Sequence, residues 1–175
     1  MKKKVNLVIL ILACLLVVKK YIVDIAVVDG NSMYPTLNDK TILLVLKKSC
    51  NPEPNDIVLI ELNDEIYIVK RIIAVGESEV RIDYEYNTVY VDNEKVDEPY
   101  LNYACNDPMQ QIGVQSKYIY IVPNNYVFVM GDNRNCSTDS RDECIGVINT
   151  SKIVGKIIWS VNLDEQYNDV KMKCD

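Results

Sequence analysis

From residue 29 onward, the sequence consists of short apolar runs separated by turn residues, and this pattern constrains the fold more than any other feature. The runs are rich in Val, Ile and Tyr, which favour strands, and none shows the sustained 3.6-residue periodicity of a helix. Turn residues at Asn63-Asp64 and Asp92-Asn93 predict two hairpin tips. The predicted strands are Thr41–Leu46, Asp56–Leu62, Glu65–Val75, Val80–Tyr84, Thr88–Val91, Tyr118–Val122, Tyr126–Met130 and Ile153–Val161. The predicted fold class is all-β, with antiparallel sheets.

The first 28 residues differ from the rest. Three lysines, Lys2 to Lys4, precede the apolar run Val5–Val18, and Lys19-Lys20 separate this run from a second one, Tyr21–Val28. A cleavable secretory signal is one interpretation, but no small-x-small cleavage site follows the apolar core. We expect instead one uncleaved N-terminal transmembrane helix in residues 1–28. The positive-inside rule then places the N-terminus in the cytoplasm and residues 29–175 outside.

Charge and composition exclude several functions. Residues 1–28 carry a formal charge of +4 and the whole chain carries −6, which leaves −10 for the body. Such an acidic body argues against nucleic acid as a partner. The chain contains no histidine, so triads with a histidine base and catalytic zinc sites built on imidazole are excluded. No metal or other cofactor is expected.

The six cysteines have no C-x-x-C spacing, so a redox or metal motif is unsupported. Cys136 and Cys144 bracket the segment Ser137–Arg141, and a disulfide between them is possible outside the cytoplasm. Free thiols are the alternative.

Lys70 is unusual for its position in a predicted strand. By the two-residue alternation it shares one face with Ile66, Ile68 and Ile72. Many strand lysines simply mark an exposed sheet edge. Burial among apolar side chains would instead lower the pKa of this amine and make it a candidate base.

Ser32 lies in the segment Gly30–Leu37, whose glycine and Pro35 favour a loop. A serine in such a loop is commonly a turn residue that bonds to its own backbone. It becomes a nucleophile only if a base removes its proton, and without histidine that base must be a group such as a desolvated lysine.

The chain resembles bacterial type I signal peptidases, which are serine peptidases with a Ser–Lys dyad, over essentially its whole length. The N-terminal anchor and the nucleophile, general-base and loop motifs occur in the order found in that family. The matching segments are Gly30–Leu37 (GNSMYPTL), Asn55–Val58 (NDIV), Tyr67–Arg71 (YIVKR), Val96–Leu101 (VDEPYL), Phe128–Arg134 (FVMGDNR), Ser137–Arg141 (STDSR) and Ile153–Lys156 (IVGK).

The resemblance implies a role for each matched residue. Ser32 would be the nucleophile and Lys70 the general base, with Ser137 orienting the lysine amine. Asp132 would pair with Arg71, and Asp139 with Arg141, to brace the loop that carries Ser137. The alternative for these acids is a solvated loop without a catalytic role. Their implied role is structural, because a carboxylate in contact with Lys70 would raise its pKa.

Two positions depart from the family pattern. Gly30 stands where some relatives have a serine that helps to form the oxyanion hole, so the hole would depend on backbone N–H groups, chiefly that of Ser32. Asn55 stands where glycine is common, and asparagine tolerates the left-handed backbone conformation that glycine adopts.

The family also implies an architecture and a substrate. It predicts a catalytic core at about 29–76 and 126–161, with a β-ribbon extension at about 77–125. The substrates would be preproteins carrying signal peptides, cut after small residues at the first and third positions before the cut, at the outer face of the cell membrane. Met33, Leu37, Ile68 and Val69 would line the shallow pockets, unless they are ordinary core residues. The lipid bilayer is an expected partner, and no oligomer is implied.

Two other functions are alternatives for a chain with these motifs. A self-cleaving Ser–Lys peptidase of the SOS-repressor kind is soluble, whereas this chain begins with a predicted anchor. A non-catalytic or specialised relative that assists surface-fibre assembly is the other alternative. A catalytically dead relative is expected to lack the serine or the lysine, and both are present.

Overall fold

The computed structural model of the chain describes residues 9–11, 13, 16–17, 19–47, 51–101, 109 and 119–162. Within 9–21 the described residues are helical, but they form no helix that is long and apolar enough to cross a membrane. The three N-terminal lysines and four of the cysteines (Cys14, Cys50, Cys105 and Cys174) lie outside the described residues.

The described chain is built from β-strands that form two antiparallel sheets. The strands, in chain order, are β1 (Val23–Val27), β2 (Ile42–Lys47), β3 (Ile57–Asn63), β4 (Ile66–Val75), β5 (Ser78–Asp83), β6 (Thr88–Val91), β7 (Glu94–Lys95), β8 (Ile119–Val122), β9 (Tyr126–Met130), β10 (Ile148–Asn149) and β11 (Ile153–Val161). The larger sheet has the order β1-β2-β11-β3-β4-β9-β10, and the smaller one β7-β6-β5-β8. The prediction of antiparallel sheets is confirmed.

Strand β1 was not predicted. It pairs with β2, from Val23 opposite Leu46 to Val27 opposite Ile42. These residues therefore belong to the larger sheet, although they fall within the predicted anchor segment, residues 1–28. The stretch is apolar on both strand faces except for Asp24, so it has no alternation to reveal a half-buried strand. Strands β7 and β10 were missed because two residues are too few for a periodic signal.

Within the predicted β extension at about 77–125, the described residues form the four-stranded sheet of β5, β6, β7 and β8. Asp92 and Asn93 form the turn between β6 and β7, with φ of 51° and 68°, as the two-residue hairpin requires. The other predicted tip lies one residue further along. Asn63 ends β3, and its side chain accepts hydrogen bonds from the N–H groups of Glu65 and Ile66.

One hydrophobic cluster joins the two sheets. Its buried members from the smaller sheet include Val80, Ile82 and Val89, and those from the larger sheet include Phe128 and Met130. β4 and β9 both contribute side chains to this cluster, so the segment that follows β9 begins at a buried, well-packed strand. The functional site lies where β4, the β1–β2 loop and the segment after β9 meet.

Candidate active site

Ser32 and Lys70 are in direct contact. Ser32 lies in the loop between β1 and β2, and Lys70 lies in the middle of β4. The Lys70 Nζ donates a hydrogen bond of 2.6 Å to the Ser32 Oγ. Lys70 is buried and lies opposite Val58 of β3, so it is not an exposed edge lysine.

The environment of Lys70 favours the neutral amine. Burial lowers its pKa from 10.5 to about 8. Asp139 and Asp132 act in the opposite direction, and the positive charge of Arg141 acts in the same direction as burial. The fraction of neutral amine, which can accept a proton, therefore rises with pH and becomes the larger one above about pH 8.

The backbone of the Ser32 loop depends on Gly30. This residue has a φ of +96°, a conformation that side chains disfavour, and its N–H donates to Asp39 Oδ1 at 2.9 Å. Further along the loop, the N–H of Tyr34 donates to the Asn31 carbonyl, and the Tyr34–Pro35 peptide is cis.

Residues 131–141, here called the 131–141 loop, hold the Ser32 loop in place. Gly131 is packed so closely that a Cβ would lie 2.3 Å from Ser137 Oγ and 2.4 Å from the Ser32 carbonyl oxygen. Asn133 donates its backbone N–H to the Ser32 carbonyl at 3.0 Å and its side-chain amide to the Asn31 carbonyl at 3.1 Å. The close packing of Gly131 and the two hydrogen bonds from Asn133 together hold the Ser32 loop in place.

Arg71 and Asp132 form a two-pronged ion pair. Arg71 Nε donates to Asp132 Oδ1 at 2.8 Å, and Nη2 donates to Oδ2 at 2.7 Å. The Thr36 hydroxyl donates to the same Oδ2 at 2.5 Å, so Asp132 links the Ser32 loop to the residue that follows Lys70.

Arg71 Nη1 also donates to the Asn55 carbonyl at 3.0 Å. Asn55 has a φ of 73°, which is the left-handed conformation that asparagine tolerates.

Asp139 organises the other side of the lysine. Arg141 donates through Nε to Oδ1 at 2.8 Å and through Nη2 to Oδ2 at 2.9 Å, and both side chains are fully buried. Burial alone would raise the pKa of Asp139. Arg141, the Gly131 N–H and the Ser137 hydroxyl more than offset this and hold it below its usual value. Asp139 is therefore an anion in the neutral pH range.

Ser137 lies next to Asp139 in the 131–141 loop. Its hydroxyl donates to Asp139 Oδ2 at 2.8 Å, and among the described residues no hydrogen bond joins it to Lys70. The hydroxyl proton goes to Asp139 because an ionised carboxylate is a strong acceptor.

The four expected pocket residues do not form a single group. Met33, which is 1% exposed, and Leu37 pack with Val69 in one core cluster, whereas Ile68 packs in another cluster beside Val58. Ile68 and Lys70 lie on the same face of β4, two residues apart.

Neither of the two arrangements that the sequence left open for Cys136 and Cys144 is found. Cys136 is disulfide-bonded, but Cys144 is exposed and free, so the two do not pair with each other. Placement around the Ser137–Arg141 segment is not a sufficient criterion, since a bridge needs the two Cβ atoms within about 4.5 Å.

Several contributors to the site had no predicted role. Thr36 and Asn133 lie inside recognised motifs, but their neighbours in space could not be inferred from spacing. A side chain would not fit at Gly131, because Ser137 and the Ser32 carbonyl lie too close to it. Within the described part of the chain, no group of three or more His, Cys, Asp or Glu residues could hold a metal ion.

The antiparallel β fold places a loop serine in hydrogen-bond contact with a buried lysine, and this arrangement is typical of the class of serine hydrolases that work without histidine. Comparison with known proteins specifies the family. Residues 1–161 match the sequence profile of the family described as signal peptidase, peptidase S26. The chain belongs to this family, and it is a serine endopeptidase of the signal peptidase I type.

Individual relatives support the assignment. The chain is 32% identical over 156 residues to signal peptidase IB of Staphylococcus aureus (strain COL), covering 82% of this chain and 80% of the relative. It is 34% identical over 152 residues to signal peptidase I S of Bacillus subtilis (strain 168), covering 80% of this chain and 77% of that protein. The crystal structure of a signal peptidase I from Enterococcus faecalis V583 matches with a TM-score of 0.50 and 24% identity, covering 61% of this chain and 97% of the other, which shows likeness of fold.

Proposed function

We propose that the protein cleaves signal peptides from secreted preproteins at the outer face of the cytoplasmic membrane, with Ser32 as nucleophile and Lys70 as general base. The observation that carries the assignment of the two residues is the 2.6 Å hydrogen bond between them, together with the burial of the lysine.

In the first half of the reaction, neutral Lys70 removes the proton of the Ser32 hydroxyl as its oxygen attacks the scissile carbonyl. The C–N bond then breaks, and the lysine ammonium gives its proton to the departing amine. The product is an ester between Ser32 and the signal peptide. In the second half, Lys70 takes a proton from water as the hydroxide adds to the ester carbonyl. The C–O bond to Ser32 then breaks, the lysine ammonium returns its proton to the Ser32 oxygen, and the signal peptide leaves with a free carboxyl group.

The negative charge that develops on the carbonyl oxygen needs a donor. Gly30 has no side chain to offer, so the Ser32 backbone N–H is the proposed donor. The supporting residues Asp132, Arg71, Asp139, Arg141 and Ser137 act structurally. They hold the 131–141 loop against Ser32 and balance the charges around Lys70.

The proposed substrates carry small residues at the first and third positions before the cut. Ile68, on the face of β4 that carries Lys70, is the best placed of the expected pocket residues. Met33 and Leu37 are nearly completely buried, and with Val69 they would form the floor under the pocket and not its rim.

A membrane location is supported by an exposed apolar face of the larger sheet. Ile25 of β1 pairs with Leu44 of β2, which pairs with Trp159 of β11, so the three side chains lie side by side. Ile25 is 62% exposed and Trp159 is 60% exposed. Large exposed apolar side chains in one patch are typical of an interaction surface. β1 begins at Val23, two residues after the last helical residue, Tyr21, so a transmembrane helix in the N-terminal segment would place this face at the bilayer.

The decisive experiment incubates the purified, detergent-solubilised full chain with a preprotein and follows the appearance of the mature protein. Ser32→Ala is the matched control. Cleavage at the signal-peptide boundary by the wild type, and none by Ser32→Ala, is the expected result. A wild-type protein that folds and inserts but never cleaves would favour the non-catalytic role in surface-fibre assembly.

A further inference from the structure

The segment Val96–Leu101 follows β7 in the smaller sheet, yet it contacts the 131–141 loop. Glu98 is buried and forms an ion pair with Arg134, whose Nη1 and Nη2 donate to its two carboxylate oxygens. Arg134 in turn donates through Nε to the Gly131 carbonyl at 3.2 Å. The segment is therefore attached to the same loop that holds Ser32.

Tyr100 extends this contact to Arg71. Its ring centroid lies 3.8 Å from the Arg71 Cζ, and its hydroxyl donates to Glu98 Oε1 at 2.9 Å. Burial, and then the charge of Glu98, raise the pKa of the phenol, so it remains a donor throughout the working pH range. The hydroxyl holds one end of the ring in place while the face of the ring covers the guanidinium.

Hydrogen bonds occupy the edges of the Arg71 guanidinium. Three of its N–H groups are bonded to the two oxygens of Asp132 and to the Asn55 carbonyl. These bonds lie in the guanidinium plane, and the stacked ring supplies the restraint perpendicular to that plane. A cation over a tyrosine face is attracted by about 0.5–2 kcal/mol.

The orientation of Arg71 matters to its neighbour. Lys70 is faced by Asp132, Asp139 and Arg141 from the 131–141 loop, while β3 offers the uncharged Val58 and the Ser32 loop a neutral hydroxyl. Arg71 on the same strand neutralises Asp132. If Arg71 turned away, the uncompensated carboxylate would favour the protonated form of Lys70.

We infer that Tyr100 is a positioning residue for catalysis: by stacking on Arg71 and bonding to Glu98, it holds the arginine in the plane that pairs with Asp132 beside Lys70. This inference rests on the proposed function of Ser32 and Lys70. It gives the segment Val96–Leu101 a role in the reaction, although that segment belongs to the extension and its described side-chain hydrogen bonds and ring contact go to Arg134, Glu98 and Arg71.

The test compares Tyr100→Leu, which removes the aromatic face, with Tyr100→Phe, which retains it. Tyr90→Leu is the control, because Tyr90 stacks on Arg81 at 3.9 Å within the smaller sheet, away from the dyad. Each full-length variant is assayed for kcat, KM and the pH profile of kcat/KM on a soluble peptide with alanine at the first and third positions before the cut. Activity is expressed per folded molecule, and Tyr100→Met replaces Tyr100→Leu if the latter does not fold.

We expect kcat of Tyr100→Leu to fall about tenfold with little change in KM, and the acid limb of its profile to move to higher pH. Tyr90→Leu should keep the wild-type profile, and Tyr100→Phe, which retains the aromatic face but loses the bond to Glu98, should show a smaller shift and a smaller loss than Tyr100→Leu. An unshifted profile in Tyr100→Leu, an equal shift in Tyr90→Leu, or an equal loss in Tyr100→Phe would overturn the inference. Ser32→Ala in the same assay separates this result from the proposed function: if it is inactive while Tyr100→Leu behaves as wild type, only the role of Tyr100 fails.

Discussion

The Lys70 amine lies 2.6 Å from the Ser32 hydroxyl, although the two residues are 38 positions apart and belong to different elements. Their contact depends on three structural links. β4 is held between β3 and β9, the 131–141 loop follows β9, and that loop binds the carbonyl oxygens of Asn31 and Ser32. The nucleophile is thus positioned mainly by a segment that lies about 100 residues further along the chain.

The first prediction concerns the pair itself. Ser32→Ala and Lys70→Met should each reduce kcat on the order of 10⁴-fold or more, and the double variant should be no worse than either single one, because both residues act in one proton transfer. Methionine retains the length and burial of the lysine stem. Peptide cleavage and circular dichroism of the three variants provide the measurement. Substantial turnover by folded Lys70→Met would refute the assignment of the base.

The second prediction concerns pH. Because burial lowers the pKa of Lys70 to about 8, the amine is mostly protonated and inactive below that pH and mostly neutral above it. The value of kcat/KM should therefore rise about tenfold per pH unit on the acid side and level off above pH 8. A stopped assay over this range measures it. Full activity near pH 5 would be incompatible with an amine base.

The third prediction uses Gly131. Gly131→Ala would push a methyl group against the Ser32 carbonyl and Ser137, so we expect activity per folded molecule to fall about 100-fold as the nucleophile shifts. Gly155→Ala is the control, since its Cβ would lie 2.3 Å from the Leu46 carbonyl in β2. Both variants should lose about 1–3 kcal/mol of stability by overpacking. Thermal unfolding with parallel assays distinguishes them, and equal activity losses would contradict a special role for Gly131.

The fourth prediction concerns the cysteines. Alkylation of the unreduced protein should label Cys144 and leave Cys136 unlabelled until a reductant is added. Labelling of Cys144 should be slow at neutral pH, because its hydrogen bond to Asp142 raises the thiol pKa and reduces the thiolate fraction. Peptide mass spectrometry with and without reduction decides the outcome. A fragment that joins Cys136 to Cys144 would contradict the structure.

Local patterns predicted much of the β fold. Strands such as β6 and β9 begin and end where the apolar runs and turn residues predicted, because alternation and turn chemistry are properties of adjacent residues. β1 was missed for the same reason, since a stretch that is apolar on both faces looks alike in a strand and in an anchor.

The sequence by itself determined which chemistry is available: without histidine, a serine in a glycine-proline loop and a lysine among isoleucines were the candidates, and their motifs placed them in a family. Only the tertiary structure decided which groups meet. It directs the Ser137 hydroxyl to Asp139 and not to Lys70, leaves Cys144 unpaired, and places Tyr100 on Arg71. The physical reason is that hydrogen bonds, ion pairs and disulfides depend on distances of a few ångströms between segments far apart in sequence, which only the packing of the two sheets establishes.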